Sequence, residues 1–102
     1  MYVIKKDGSR EEFDREKLKR GVLKACEKRP VAIAKVDAVV EKIEIKLRSL
    51  KSTEIKSKII GEEVMKALQK LDKVAYIRFA SVYREFADLS EFEREINKLL
   101  KR

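Results

Sequence analysis

Residues 3–13 read VIKKDGSREEF and hold the clearest structural signal in the chain. Extended segments flank an Asp7-Gly8 pair, which is typical of a hairpin turn, so we predict strands over residues 2–5 and 10–13. Asp14 follows as a good N-cap and predicts a helix directly after the hairpin. Two lysines before a turn and beside a helix N-terminus would suit a phosphate group, although solvated turns often have the same composition.

The next segments predict two helices and a third strand. The first helix should run to about Lys28, since Pro30 cannot continue it. A second helix is predicted over residues 33–50, and β-branched residues predict a strand over 52–55 that joins the hairpin. The second helix has an apolar stripe of Val36, Val39, Val40, Ile43, Leu47 and Leu50.

Three more helices complete the prediction. Ser57 and Asp72 are expected to cap the third and fourth helices, and Leu89 to begin a short fifth one. The fourth helix should turn inward Ala75, Tyr76, Phe79, Val82, Tyr83 and Phe86, which is typical of a core or an interface. The predicted class is α+β: a small antiparallel or mixed sheet, made of the N-terminal hairpin plus a short third strand, on a bundle of four to five helices. Residues 1–102 are expected to form a single domain.

Composition favours a folded domain with an anionic partner. Hydrophobic residues make up 44% of the 102 residues, enough for one modest core, and the formal net charge is +8. The positive charge is concentrated in the first sixty residues, where Lys and Arg outnumber Asp and Glu. A nucleotide, a nucleic acid or an acidic protein would fit this charge, and so would an ordinary mixed-charge surface.

Several classes of site are excluded by residue content. With one cysteine and no histidine, the chain cannot form a zinc ribbon or a histidine-dependent catalytic triad. The single Cys26 is expected to be a buried thiol. No P-loop or dinucleotide-binding motif is present, and we expect no enzymatic activity. The absence of a long apolar segment and of a signal-peptide core predicts a cytoplasmic protein without a membrane partner.

A candidate anion site surrounds the hairpin. Glu11 could accept hydrogen bonds from ribose hydroxyls or serve only in salt bridges, and Ser57 could contact a ligand or serve only as a cap. Gly21, inside the first helix, suggests either close approach of a ligand or backbone, or simple tolerance. The cations of the candidate site are Lys5, Lys6, Arg10, Lys17 and Arg20.

Several segments together resemble a known family. The patterns VxKKDG (residues 3–8) and ExFDxxKL (11–18) are similar to the start of the ATP-cone domain, the nucleotide-sensing module of many ribonucleotide reductases. Three further segments resemble the cone of NrdR-type repressors of ribonucleotide reductase genes: ACEKRPV (25–31), SKxIGExVM (57–65) and LDKVAYIRFASVYRxF (71–86).

The resemblance implies a regulatory domain that binds ATP or dATP and couples nucleotide binding to homo-oligomerisation. Mg²⁺ on the phosphates is expected only because the ligand is a polyphosphate. The resemblance also implies that Lys5 and Lys6 contact phosphates, that Ser57 lies near the base and sugar, and that Val3 lines the pocket. The remaining implied ligand residues are Glu11 and Lys17.

The sequence also departs from the repressors in two places. They carry a zinc ribbon that contacts DNA, so we expect DNA contact only through a ribbon that this sequence lacks. Residues 51–56 (KSTEIK) differ from the family's GEREVP pattern. Two alternatives remain open at this point: a basic helical nucleic-acid-binding domain, and a designed or consensus cone scaffold without a ligand.

Overall fold

The structure, a computed structural model, describes residues 1–84 and 88–100. Within these residues a three-stranded mixed sheet packs with five helices, which confirms the predicted α+β class. No described helix is both long and apolar enough to cross a membrane. The elements in chain order are β1 (Tyr2–Ile4), β2 (Arg10–Glu12), α1 (Arg15–Ala25), α2 (Ile33–Ser49), β3 (Glu54–Lys56), α3 (Ser57–Leu71), α4 (Lys73–Tyr83) and α5 (Leu89–Leu100).

The predicted hairpin is confirmed, with a tight turn over residues 5–9. The amide of Gly8 donates to the carbonyl of Lys5 at 2.9 Å, and the amide of Lys5 donates to the carbonyl of Ser9 at 2.9 Å. Gly8 has φ 86°, in the left-handed region that favours glycine. Asp7 Oδ1 accepts from both the amide and the hydroxyl of Ser9, which lowers the pKa of Asp7. These hydrogen bonds therefore fix the position of the Lys5 backbone directly after β1.

The third strand joins the hairpin as expected, in the order β2-β1-β3, with β1 parallel to β3. It begins at Glu54, two residues after the predicted start, because the Ser52 hydroxyl bonds the backbone of Glu54 and closes a local turn first. Val3 lies opposite Ile55, and both side chains are buried. Since α3 begins directly after β3, the sheet positions the start of that helix.

The first helix is shorter than predicted. Asp14 is its N-cap, as expected, but the helix ends at Ala25 and not near Lys28. Lys28 has φ 59°, which a right-handed helix cannot accommodate. Arg78 Nη1 donates to the carbonyls of Ala25 and Glu27 at 3.2 and 2.6 Å, and thereby joins the end of α1 to α4.

Two apolar predictions were wrong. Leu50 does not continue the buried stripe of α2; it is the C-cap after Ser49 and is 51% exposed. Val82 is 80% exposed, because the fully packed side of α4 lies along Ala75, Tyr76 and Ala80. Phe86, which was expected on the same face, lies outside the described residues.

A single cluster of buried side chains joins the helices to the sheet. Cys26 belongs to it, as predicted, and burial raises the pKa of its thiol. The largest fully buried side chains of the cluster are Leu47, Leu68, Val22, Val36, Val40 and Val64.

Asp72 should make stability depend on pH. Its carboxylate caps α4 and accepts from Arg29 Nε at 3.0 and 3.1 Å. Burial acts to raise its pKa, but the hydrogen bonds from Ala75 and Arg29 outweigh this and lower the pKa below its ordinary 3.8. The stabilisation should therefore be complete above the unfolded-state pKa and be lost as the pH falls through the lower folded-state pKa.

We expect Asp72→Asn to lower the free energy of unfolding by about 1 kcal/mol at pH 7, because asparagine keeps the cap but loses the ion pair. The difference from the unmodified chain should shrink as the pH falls below 3.8 and through the lower folded-state pKa of Asp72. Urea unfolding of both chains across this pH range measures it. A difference independent of pH would show that the charge of Asp72 does not contribute.

Candidate functional site

A cavity of about 310 Å³ lies between the opening hairpin and helices α1, α3 and α4. Its volume is at the lower end of the range for small-molecule sites. Helix α1 and its N-cap line it with Asp14, Lys17, Leu18 and Gly21, and α3 with Ser57, Ile60, Gly61 and Val64. Both sets follow the spacing i, i+3, i+4, i+7, so each helix presents one continuous face to the cavity. The hairpin side and α4 complete the lining with Val3, Lys5, Glu11, Phe13, Phe79 and Tyr83.

A group of three charges lies at the cavity, centred on Glu11. One carboxylate oxygen lies 3.0 Å from Lys5 Nζ and the other 2.8 Å from Lys17 Nζ. Hydrogen bonds from Lys17 and then Lys5 lower the pKa of Glu11, so the carboxylate is ionised at neutral pH. Such exposed pairs contribute little to stability. Their geometry places two ammonium groups beside the cavity.

Aromatic residues of α4 form part of the wall. The rings of Phe79 and Tyr83 stack with centroids 5.8 Å apart and an interplanar angle of 25°. The Tyr83 hydroxyl donates to the Lys58 carbonyl at 2.8 Å, and burial raises its pKa. A Cβ on Gly61 would lie 2.2 Å from the Tyr83 ring, so this ring position requires glycine. The aromatic wall is therefore fixed against the first turns of α3.

Ser57 lines the cavity but does not cap α3, and the predicted cap was wrong. It is the first helical residue, and the preceding Lys56 has the extended N-cap conformation with no side-chain cap hydrogen bond. The cause is the pairing of β3 with β1: the strand ends at Lys56 and runs into the helix without an intervening residue. The first N–H groups of α3 therefore have no side-chain cap, and such groups attract anions.

The structure brings together five of the six predicted ligand residues, Val3, Lys5, Glu11, Lys17 and Ser57, at this one cavity. The sixth, Lys6, lines an adjoining cavity of about 330 Å³ that shares Ser57, Phe79 and Tyr83 with the first.

Two further candidate cations do not line the cavity. Arg10 instead pairs with Glu54 at 2.9 Å and lies over the ring of Tyr2, 4.6 Å from its centroid. Arg20 is likewise outside the lining set. Fewer cations therefore line the cavity than the sequence predicts.

Sequence reasoning missed most of the apolar lining. The helical spacing predicts core or interface positions for Phe79 and Tyr83, and it does not distinguish Gly61 as a lining residue. Gly61 follows Ser57 by four residues, and this helical spacing could have placed both residues on the same face of α3. A Cβ on Gly21 would meet no atom within 4 Å, so close approach of another backbone is not the reason for this glycine.

Residues 1–89 match the family model described as the ATP cone domain. The chain belongs to the ATP-cone family. Over 102 residues it is 56% identical to the "Transcriptional repressor NrdR" of Ligilactobacillus salivarius and 51% identical to that of Listeria welshimeri. An Exiguobacterium protein of the same name is 52% identical over 101 residues. The whole chain aligns with the first two, but it spans only 65% and 66% of their lengths. All three names describe repressors of transcription.

Proposed function

We propose that this ATP-cone chain is a nucleotide-sensing regulatory domain that binds ATP or dATP in the cavity between the hairpin, α1, α3 and α4. The observation that carries the proposal is the Lys5–Glu11–Lys17 cluster beside an apolar and partly aromatic cavity. A nucleotide has the complementary chemistry, because its base is flat and apolar on its faces while its phosphates carry several negative charges.

In the proposed complex the phosphates contact the ammonium groups of Lys5 and Lys17, and Lys6 from the adjoining cavity. The base lies along the wall that includes Phe79 and Tyr83. Glu11 orients the two lysines and accepts from ribose hydroxyls, and Ser57 lies near the base and sugar. Mg²⁺ would accompany the phosphates, which are its usual ligands.

The proposed output is a change in self-association. A ligand that binds one association state more tightly than another shifts the equilibrium towards that state. Such coupling would suit a sensor within a transcriptional repressor, the kind of protein that the relatives' names describe. We further propose that the sensor acts in the cytoplasm and that residues 1–102 form one domain. We propose no chemical reaction for the cavity.

Thermal unfolding with and without nucleotide tests the proposal. At 100 times its Kd, ATP or dATP should raise the free energy of unfolding by about 2.7 kcal/mol. A DNA duplex should not reproduce the effect; stabilisation by DNA that falls steeply with salt would instead favour the nucleic-acid alternative. No change with millimolar ATP and dATP, together with no heat of binding in calorimetry, would contradict the proposal and favour a scaffold without a ligand.

A further inference from the structure

A second groove, of about 490 Å³, lies between the end of α1 and α4. Its apolar lining includes Phe79 and Val82, and the Val82 side chain is 80% exposed. Three exposed cations and one exposed carboxylate line the same groove: Lys24, Lys28, Arg78 and Glu27. Neither lysine forms an ion pair with any residue in the described part of the chain. The groove is thus an exposed apolar surface with an excess of positive charge, although Glu27 also lines it, and Lys24 and Lys28 form no ion pair within the described residues.

The start of α5 has the opposite character. Leu89 is 69% exposed, and Asp88 and Glu93 on either side of it are exposed carboxylates. Further along α5, Glu95 accepts from the hydroxyl of Tyr76 and from Arg84, which holds the helix on α4. The beginning of α5 therefore lies on the surface, where it exposes one apolar side chain, Leu89, and the two carboxylates.

We propose that the start of α5 of one chain docks in the α1–α4 groove of a second copy. Leu89 would cover the apolar surface at Val82, and Asp88 and Glu93 would face Lys24 and Lys28. The two surfaces are complementary in charge and each exposes one large apolar side chain, so that one contact removes both from water. A second copy is the chosen partner because the same chain carries both halves of the contact.

This interface would also explain how the nucleotide is sensed, and in that respect it rests on the proposed function. Gly21 and Phe79 line both the groove and the nucleotide cavity. A docked α5 therefore shares a wall with the bound base, and a shift of that wall on nucleotide binding changes the fit of the second copy. Association and ATP binding are then linked, each altering the other by the same factor.

Charge reversal with complementation tests the interface. Sedimentation velocity with saturating ATP is measured on Lys24→Glu/Lys28→Glu, on Asp88→Lys/Glu93→Lys, and on their equimolar mixture. Each variant alone should associate at least about tenfold more weakly than the unmodified chain, because like charges then face each other. The mixture should recover association, since both contacts between unlike variants again pair opposite charges.

Controls separate the contact from folding and from nucleotide binding. Lys35→Glu/Lys42→Glu, a matched reversal of two exposed lysines on α2, should associate normally. Because Asp88 also accepts from the amide of Glu91, Leu89→Ser serves as a second variant that leaves this bond in place, and it should weaken association too.

Three results would overturn the interface: unchanged association in the reversed variants, no recovery in the mixture of folded variants, or an unmodified chain that binds ATP but stays monomeric. Calorimetry with ATP on the same samples reports the proposed function separately. ATP binding without association removes only the interface, whereas absence of ATP binding removes the proposed function.

Discussion

Replacing Lys5 and Lys17 together with alanine should weaken ATP binding by at least about 100-fold and leave the fold intact. Both ammonium groups lie beside the cavity, within 3.0 Å of Glu11. A hydrogen bond to a charged group contributes about 1.5–3 kcal/mol, so the loss of two corresponds to about 3–6 kcal/mol of binding free energy. The side chains are 46% and 56% exposed, and their pairs with Glu11 should add little to stability.

Calorimetry with ATP and dATP measures the affinity, and thermal unfolding without ligand confirms the fold. The matched control is Lys35→Ala/Lys42→Ala, which removes the same charge from the exposed side of α2 and should leave the affinity within about twofold. If the two double variants lost equal affinity, only net charge would be involved. Unchanged affinity in the Lys5/Lys17 variant would exclude these lysines from the site.

Sequence predicted well those features that depend on neighbouring residues. The hairpin turn needs only the Asp7-Gly8 pair, and Asp14 and Asp72 cap helices that begin immediately after them. In each case one side chain or one glycine satisfies backbone groups at most four residues away, so the local sequence contains the whole interaction. The resemblance added the ligand residues, five of which the fold brings to one cavity.

Features that depend on the tertiary fold were missed or misplaced. Nothing local distinguishes Val82, which is exposed, from Tyr83, whose ring lies against Gly61 on another helix. Ser57 had the composition of a cap, but the pairing of β3 with β1 takes Lys56 into the strand and makes that residue the N-cap. Residues distant in sequence determine which side of a helix faces a cavity. Hydrophobic periodicity within the helix cannot predict this.

The second large effect is expected at Gly21, where leucine should abolish detectable nucleotide binding without unfolding the chain. Gly21 lines the nucleotide cavity, and a Cβ there would meet no atom within 4 Å. Gly21 also lines the α1–α4 groove, but a leucine side chain has room to extend into the cavity of about 310 Å³ that the base is proposed to occupy. Leucine also has a higher helix propensity than glycine, which should offset part of the cost of its exposed apolar surface.

Gly21→Ala is the matched control, because it changes the helix propensity but adds only one methyl group. It should stabilise the chain by up to about 1 kcal/mol and reduce ATP affinity only slightly. Calorimetry and thermal unfolding of both variants give the comparison. If the leucine variant bound ATP as tightly as the alanine variant, the base would not lie against Gly21 in this cavity. Loss of binding in the leucine variant alone would explain why an energetically unfavourable glycine occupies the middle of α1: it leaves room for the ligand.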